Sequence, residues 1–366
     1  MKPLRILAMT KYGPLGASSR MRFYQYLPWL DRDNISVEMQ PLLSDEMLQA
    51  RYASGRYGLQ PLLQAYLRRV AILFSRRKFD LLWIEKEALQ WWPLWIERLL
   101  LSGIPYVLDY DDAVFHQYDL HPSYWIRKFY GQRLDGLMAG AGLVVAGNGY
   151  LEKRARLAGA RQVEIIPTVI DLERYAPIVS NDFLPYGPNS LPLIVWIGSP
   201  STLAYLKGIS GALRSLAERV PFALRIVGAG PTEFPGVNTE LFDWSEESEA
   251  DLIRSAQIGV MPLDDTPWAK GKCGYKLIQY MACGLPVVAS PVGVNCDIVS
   301  PGKTGFLAST ADEWVSALET LLKDSALCQK MGHAGREQVK AHYCIQQTGP
   351  KLASLLRETA SRAECV

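Results

Sequence analysis

Short apolar runs alternate along the chain with longer stretches in which apolar residues return every three or four positions. The runs have the length of buried strands, and the longer stretches have the spacing of helices with one apolar face. Strands are expected at Leu4–Met9, Ser36–Gln40, Leu81–Glu85, Tyr106–Leu108, Leu143–Ala146 and Val163–Ile166. Around 176–192 the alternation fails. Pro177, Pro185, Pro188 and Pro192 stand there among Asn, Gly and Ser, with Pro167 just upstream, as in a linker. The pattern restarts at Leu193–Ile197, Ala223–Val227, Ile258–Met261, Pro286–Ala289 and Gly305–Leu307, with helices expected at 206–219, 249–256, 310–323 and 346–362. Strands that feed helices repeatedly build parallel sheets covered on both faces, so the fold class is α/β with two Rossmann-like units in tandem. The expected division is 1–175, a linker at 176–192, a second domain at 193–344 and a closing helix at 345–366. Ligands of open α/β sheets sit beyond the carboxyl ends of the strands, so a cleft between the units is the expected binding place.

Composition narrows the function classes. A length of 366 residues suits two cores rather than one. The formal net charge of +2 carries no nucleic-acid footprint. The N-terminal apolar run is too short for a signal peptide and reads as a first strand, and no apolar run reaches membrane-spanning length. Cys273, Cys283, Cys296, Cys328, Cys344 and Cys365 form no C-x-x-C pair, which points to reduced cytoplasmic thiols without structural zinc.

The stretch from Pro262 to Pro291 carries the most chemistry. The strand 258–261 enters a polar loop, and a helix begins near Gly274 and ends at Gly284 and Pro286. Gly271 and Gly274 permit close approach of backbone to a ligand, and the helix N-terminus offers unpaired N–H groups to an anion. Lys272, Lys276 and Gln279 fall at i, i+4 and i+7, one helical stripe whose two ammonium groups suit a diphosphate. Gln279 would then reach an attached ribose, and a Glu there would be tolerated. The bland alternative is a plain loop with two solvated lysines.

The run Gln279-Tyr280-Met281-Ala282-Cys283-Gly284-Leu285-Pro286-Val287 resembles the donor-binding helix of the family-4 glycosyltransferases, which have the GT-B fold. Their pattern pairs two Glu residues eight apart. Here Gln279 stands in place of the second and Gly271 in place of the first. Ile166-Pro167-Thr168-Val169-Ile170-Asp171 and Trp196-Ile197-Gly198-Ser199 are similar to two further stretches of the family. The resemblance implies two domains facing across a cleft, with the C-terminal helix packing back on the N-terminal one. It also implies transfer of a hexosyl group from a nucleotide-diphosphate sugar to a glycan or lipid-linked acceptor, with retention and without a metal or other cofactor, in surface polysaccharide or glycoconjugate synthesis. The donor-binding residues it implies are Gly16, Gly198, Ser199, Thr202, Gly271, Lys272, Gly274, Lys276 and Gln279. Ser19, Arg20, Arg22 and Asn148 are implied on the acceptor side. Asp109, Asp111 and His116 are the catalytic candidates, with no choice among them. An ordinary helix cap would also explain one of the Asp residues, and a packed side chain would explain His116.

Rival classes fit less well. A dinucleotide-binding fingerprint needs G-x-G-x-x-G, and neither Gly13/Gly16 nor Gly228/Gly230 supplies it. An epimerase or a binding-only relative shares the architecture, and the absent Glu pair gives the latter some weight. Leu62–Phe79 combines leucines with Arg68, Arg69, Arg76, Arg77 and Lys78, followed by Trp91, Trp92 and Trp95. Two readings stand side by side. One is a basic face resting on the inner side of the membrane. The other is a solvated basic helix with Leu67, Val70, Ala71 and Phe74 turned to the core.

Overall fold

The computed structural model describes residues 3–75, 78–175 and 191–364. Of the expected linker only Leu191 and Pro192 fall among them, and Arg76 and Arg77 also lie outside. The described residues form two units, each around one six-stranded sheet.

The first unit gathers the chain through Thr168, the short segment Gly271–Cys273 and the C-terminal segment from Gln346. Its strands are β1 (Leu4–Tyr12), β2 (Ile35–Leu43), β3 (Leu81–Glu85), β4 (Tyr106–Tyr110), β5 (Leu143–Ala146) and β6 (Val163–Ile165). They run parallel in the order β2-β1-β3-β4-β5-β6. Every residue of β3, β4 and β5 is buried, because helices cover both faces and leave no solvated side for polar alternation. Register sets Glu85 beside Asp109, and Asp109 beside Val145, so several carboxyl ends finish level. The closing helix, Ile345–Glu364, packs within this unit from Gln346 on. Tyr26 Oη and Thr348 Oγ1 share a hydrogen bond of 2.9 Å, and Lys351 pairs with Glu164 at 3.5 Å.

The second unit comprises Val169–Lys270 and Gly274–Ile345. Strands β7 (Leu193–Ile197), β8 (Ala223–Val227), β9 (Asn238–Phe242), β10 (Ile258–Met261), β11 (Val287–Ala289) and β12 (Gly305–Leu307) run parallel in the order β12-β11-β10-β7-β8-β9. The unforeseen strand is β9. Its sequence NTELF is polar because it lies at the sheet edge, half in solvent. The helix Ser325–His342 was also unforeseen. Gly332 and Gly335 dilute its apolar stripe, and they sit where it meets the backbone of Gly284 and the side chain of Met281.

The helix Leu59–Phe74 turns a different face to the core than expected. Its buried residues are Ala65, Arg69 and Leu73, whereas Leu67, Ala71 and Phe74 are exposed, so of the expected core stripe only Val70 packs against the core. Arg69 is not on a basic outer face either. It is buried, and its guanidinium donates to the carbonyls of Thr10 and Gln40 at 2.7 and 2.8 Å. Both carbonyls lie within the paired register, which runs on to Tyr12 and Leu43, beside Pro41, which has no N–H to donate; the buried guanidinium is a donor that reaches both. Among the described residues no helix is long and apolar enough to cross a membrane.

Candidate functional site

In the first unit, the carboxyl ends of β1, β3 and β4 carry a charged cluster. Lys86, one residue past β3, has φ +64° and a buried side chain. Its ammonium donates to Ser18 Oγ at 2.9 Å and lies 2.8 Å from Asp111 Oδ1 and 3.6 Å from Glu85 Oε1. Ser18 Oγ in turn donates to Asp111 Oδ2. Burial works against the charge on Lys86, but Asp111 and Glu85 outweigh it and the pKa is raised. Burial would likewise push Asp111 up, and Lys86 turns the balance so that it is lowered. The result is a fixed ammonium–carboxylate–hydroxyl group where a hydroxylated ligand would meet both donor and acceptor. Sequence reasoning named only Asp111 of this set. The signal available was the triplet Glu85-Lys86-Glu87 at a strand end.

Several residues expected to meet the acceptor, or to act in catalysis, are committed inside the unit. Ser19 is fully buried and donates to Glu85 Oε2 at 2.6 Å, because the helix Ala17–Arg22 turns that side to the sheet. Arg20 donates to the Pro14 carbonyl at 3.0 Å and braces its own loop. Gly16 begins the helix, buried against Tyr12. Arg22 Nε donates to Asp109 Oδ1 at 2.7 Å and Nη1 to the Ile166 carbonyl at 2.7 Å, with both side chains about 2% exposed. Burial pushes the Asp109 carboxyl up to about 6, against the pull of Arg22. His116 has both ring nitrogens occupied, Nδ1 by Asp119 and Nε2 by Tyr150, each at 2.8 Å. Ser19, Arg20, Arg22, Asp109 and His116 are thus held by partners within the unit, and a ligand that reached them would compete with these hydrogen bonds.

Asn148 is held by partners in the same way. Its Oδ1 accepts from Leu151 N and caps the helix Gly149–Leu157, and its Nδ2 donates to the carbonyls of Gly271 and Lys272 at 3.0 and 2.9 Å. Cys273 Sγ donates to the Asp111 carbonyl at 2.8 Å. A Cβ at Gly271 would collide with Ala113, whose nitrogen would lie 2.7 Å away. The absence of a carboxylate at 271 is therefore steric: packing, rather than ligand approach, demands glycine there. Lys272 belongs to this first unit, where it draws down Asp112, a carboxyl raised by burial and by Asp111.

In the second unit, the turns after β7 and β8 meet the start of the helix Tyr275–Ala282. That helix begins only at Tyr275, with Gly274 at φ +63° as its cap, so Lys272 precedes it and the expected three-residue stripe reduces to Lys276 and Gln279. Lys276 Nζ lies 4.1 Å from the centre of the Trp196 ring and 3.5 Å from Thr202 Oγ1. A Cβ at Gly198 would stand 2.5 Å from Lys276 Nζ and 2.7 Å from Thr202 Oγ1. Gly198, Thr202 and Lys276 are thus brought together, with Ser199 alongside, its hydroxyl 2.8 Å from Ser201 Oγ. A half-buried ammonium, a hydroxyl, a glycine turn and a helix N-terminus without a side-chain cap are groups whose chemistry suits an anion.

Gln279 does not join it as expected. It is buried, and its Nε2 donates to Tyr175 Oη at 2.8 Å. Tyr175 donates to Glu249 Oε1 at 2.6 Å, and Trp244 Nε1 donates to Glu249 Oε2 at 2.7 Å. The tyrosine proton is spent on Glu249, so position 279 must supply a donor, which an amide has and a carboxylate lacks. This reverses the expectation that Glu would be tolerated. Gln279→Glu should lower unfolding free energy by about 1–3 kcal/mol through an unmatched buried group. Chemical denaturation that finds parental stability in this variant would refute the network.

Comparison with known proteins follows the same lines. Residues 192–324 match the family model described as glycosyl transferases group 1. A sulfoquinovosyl transferase from Arabidopsis thaliana is 26% identical, the match covering 93% of this chain and 71% of that protein. Among solved structures, a sucrose-phosphate synthase from Thermosynechococcus elongatus superposes with a TM-score of 0.72 at 16% identity, over 98% of this chain and 100% of that one. Anabaena HepE in complex with UDP and glucose superposes with a TM-score of 0.70 at 15% identity, over 97% and 100%.

Proposed function

We infer, from the premise that this chain is a GT-B glycosyltransferase of family 4, that it moves a hexosyl group from a nucleotide-diphosphate sugar to a glycan or lipid-linked acceptor. The observation that carries the donor half is the grouping of Lys276, Thr202 and Gly198 in the second unit. In the transfer, the bond from the anomeric carbon to the diphosphate oxygen breaks, and its electron pair leaves with the diphosphate. An acceptor hydroxyl oxygen bonds the same carbon and gives up its proton. Charge grows on the diphosphate as the bond breaks, so a fixed ammonium beside it stabilises the transition state more than the bound donor. With Lys276 and the helix N-terminus in that role, the reading requires no metal. If the acceptor enters on the face the diphosphate leaves, configuration is retained and the departing oxygen is the nearest base.

Asp111 is held as a carboxylate by Lys86, so in this reading it orients an acceptor hydroxyl rather than storing a proton. The acceptor reading also draws on the helix Leu59–Phe74. Leu59, Leu63, Leu67 and Phe74 form an exposed apolar row on it, which suits an enzyme serving a lipid-linked acceptor at the inner face of the membrane in glycoconjugate synthesis.

The test is turnover with UDP-, GDP- and ADP-sugars against a lipid-linked acceptor and a short water-soluble glycan. Nucleotide diphosphate should appear together with a glycosylated product for one donor class. A panel that yields no product with any donor would overturn this reading.

A further inference from the structure

We propose that the first unit docks on an anionic bilayer through three helices, Leu59–Phe74, Leu94–Leu101 and Tyr124–Tyr130, of which the last carries the aromatic anchor. The proposal rests on the lipid-linked reading above and names the surface that delivers it. The helix Leu59–Phe74 packs against Leu94–Leu101, that helix against Arg133–Gly140, and Arg133–Gly140 against Tyr124–Tyr130, so all lie in one layer of one unit.

Each of the three leaves large apolar side chains in solvent. Trp95 and Leu99 are exposed on the second helix, and Tyr124, Trp125 and Phe129 on the third, where Trp125 and Phe129 are 61% and 70% exposed. Trp125 and Phe129 stack with ring centres 6.0 Å apart, one turn from each other, and Lys128 Nζ sits 5.6 Å from the Trp125 ring. Tyr and Trp have an apolar body and a polar edge, the residues that settle at the level of lipid headgroups. A folded chain seldom keeps so many large apolar groups in water without an occupant for them.

Charge decides which occupant. The exposed charged residues on these three helices are Arg68, Arg98, Arg127 and Lys128, all cations, and the single carboxylate among them, Glu97, is fully buried. A second copy of the chain would bring like charges face to face, which opposes self-association. An anionic headgroup layer meets the cations while the rings enter the interface beneath them.

Sedimentation of the full chain with vesicles tests this. The chain should pellet with phosphatidylcholine vesicles containing phosphatidylglycerol at low salt, and stay in solution with phosphatidylcholine alone or at high salt. W125S/F129S should bind at least about tenfold more weakly through lost interfacial burial, and K128E about fivefold or more. Transfer to the short soluble glycan should be unchanged in both, which shows that they fold. Variants that pellet like the parent, or a parent that ignores anionic vesicles, would overturn the docking face. So would a dimer in light scattering that W125S/F129S dissolves. Because soluble-acceptor turnover is measured on the same preparations, docking can fail while the transferase reading stands.

Discussion

Replacing Lys276 with Ala is expected to weaken binding of the nucleotide diphosphate by about tenfold or more, with little change in thermal stability. A charge-assisted hydrogen bond contributes about 1.5–3 kcal/mol, and about 1.4 kcal/mol is a factor of ten in affinity. Lys276 is suited to the full effect because its position is prepared. The Trp196 ring lies 4.1 Å from the ammonium, and Gly198 leaves beside both a gap that a single Cβ, 2.5 Å from Nζ and 2.6 Å from the ring, would close. Thr202→Val should cost less, since a neutral hydroxyl is a weaker partner for phosphate than an ammonium. Calorimetry with the nucleotide diphosphate checks both. Unchanged affinity in Lys276→Ala would move the anion site elsewhere in the unit.

The grouping of Gly198, Thr202 and Lys276 was legible because its signals are local. A strand end, a glycine turn and a helix start fall within a few residues of one another, and Lys276 follows directly from that spacing. Long-range partner choice was not legible. Asn148 looks like a ligand at a strand end, yet its amide is spent on the carbonyls of Gly271 and Lys272, more than a hundred residues away in sequence. Arg22 and Asp109 read as two separate polar candidates because nothing in the sequence says that register brings them to 2.7 Å. Lys86 was overlooked for the converse reason: its charge looks solvated in sequence, and only burial between Asp111 and Glu85 gives it a role. The strands of the sheet interiors were readable from their apolar runs, whereas β9 was not, since an edge strand need not be apolar.

The pairing of Arg22 with Asp109 predicts the largest stability effect, and it should depend on pH. Both groups are about 2% exposed, so Arg22→Met leaves a carboxyl buried without its cation. Removing one partner of such a pair typically costs about 3–5 kcal/mol. The folded-state value for Asp109 is already pushed up to about 6 by burial while Arg22 holds it down. Without Arg22 it must rise further. A carboxyl whose folded pKa exceeds its unfolded value of about 4 binds its proton more tightly when folded, so stability falls as pH rises between the two values. In the parent that window closes near pH 6, and in Arg22→Met it extends upward, at up to about 1.4 kcal/mol per pH unit. The variant should therefore lose less relative to the parent at pH 5 than at pH 8. Arg22→Met/Asp109→Asn should recover much of the loss at pH 8, because a neutral amide no longer has a charge to bury. Denaturation curves at the two pH values decide the matter: a pH-independent deficit, or a double variant no more stable than the single one, would mean that the carboxyl finds another cation.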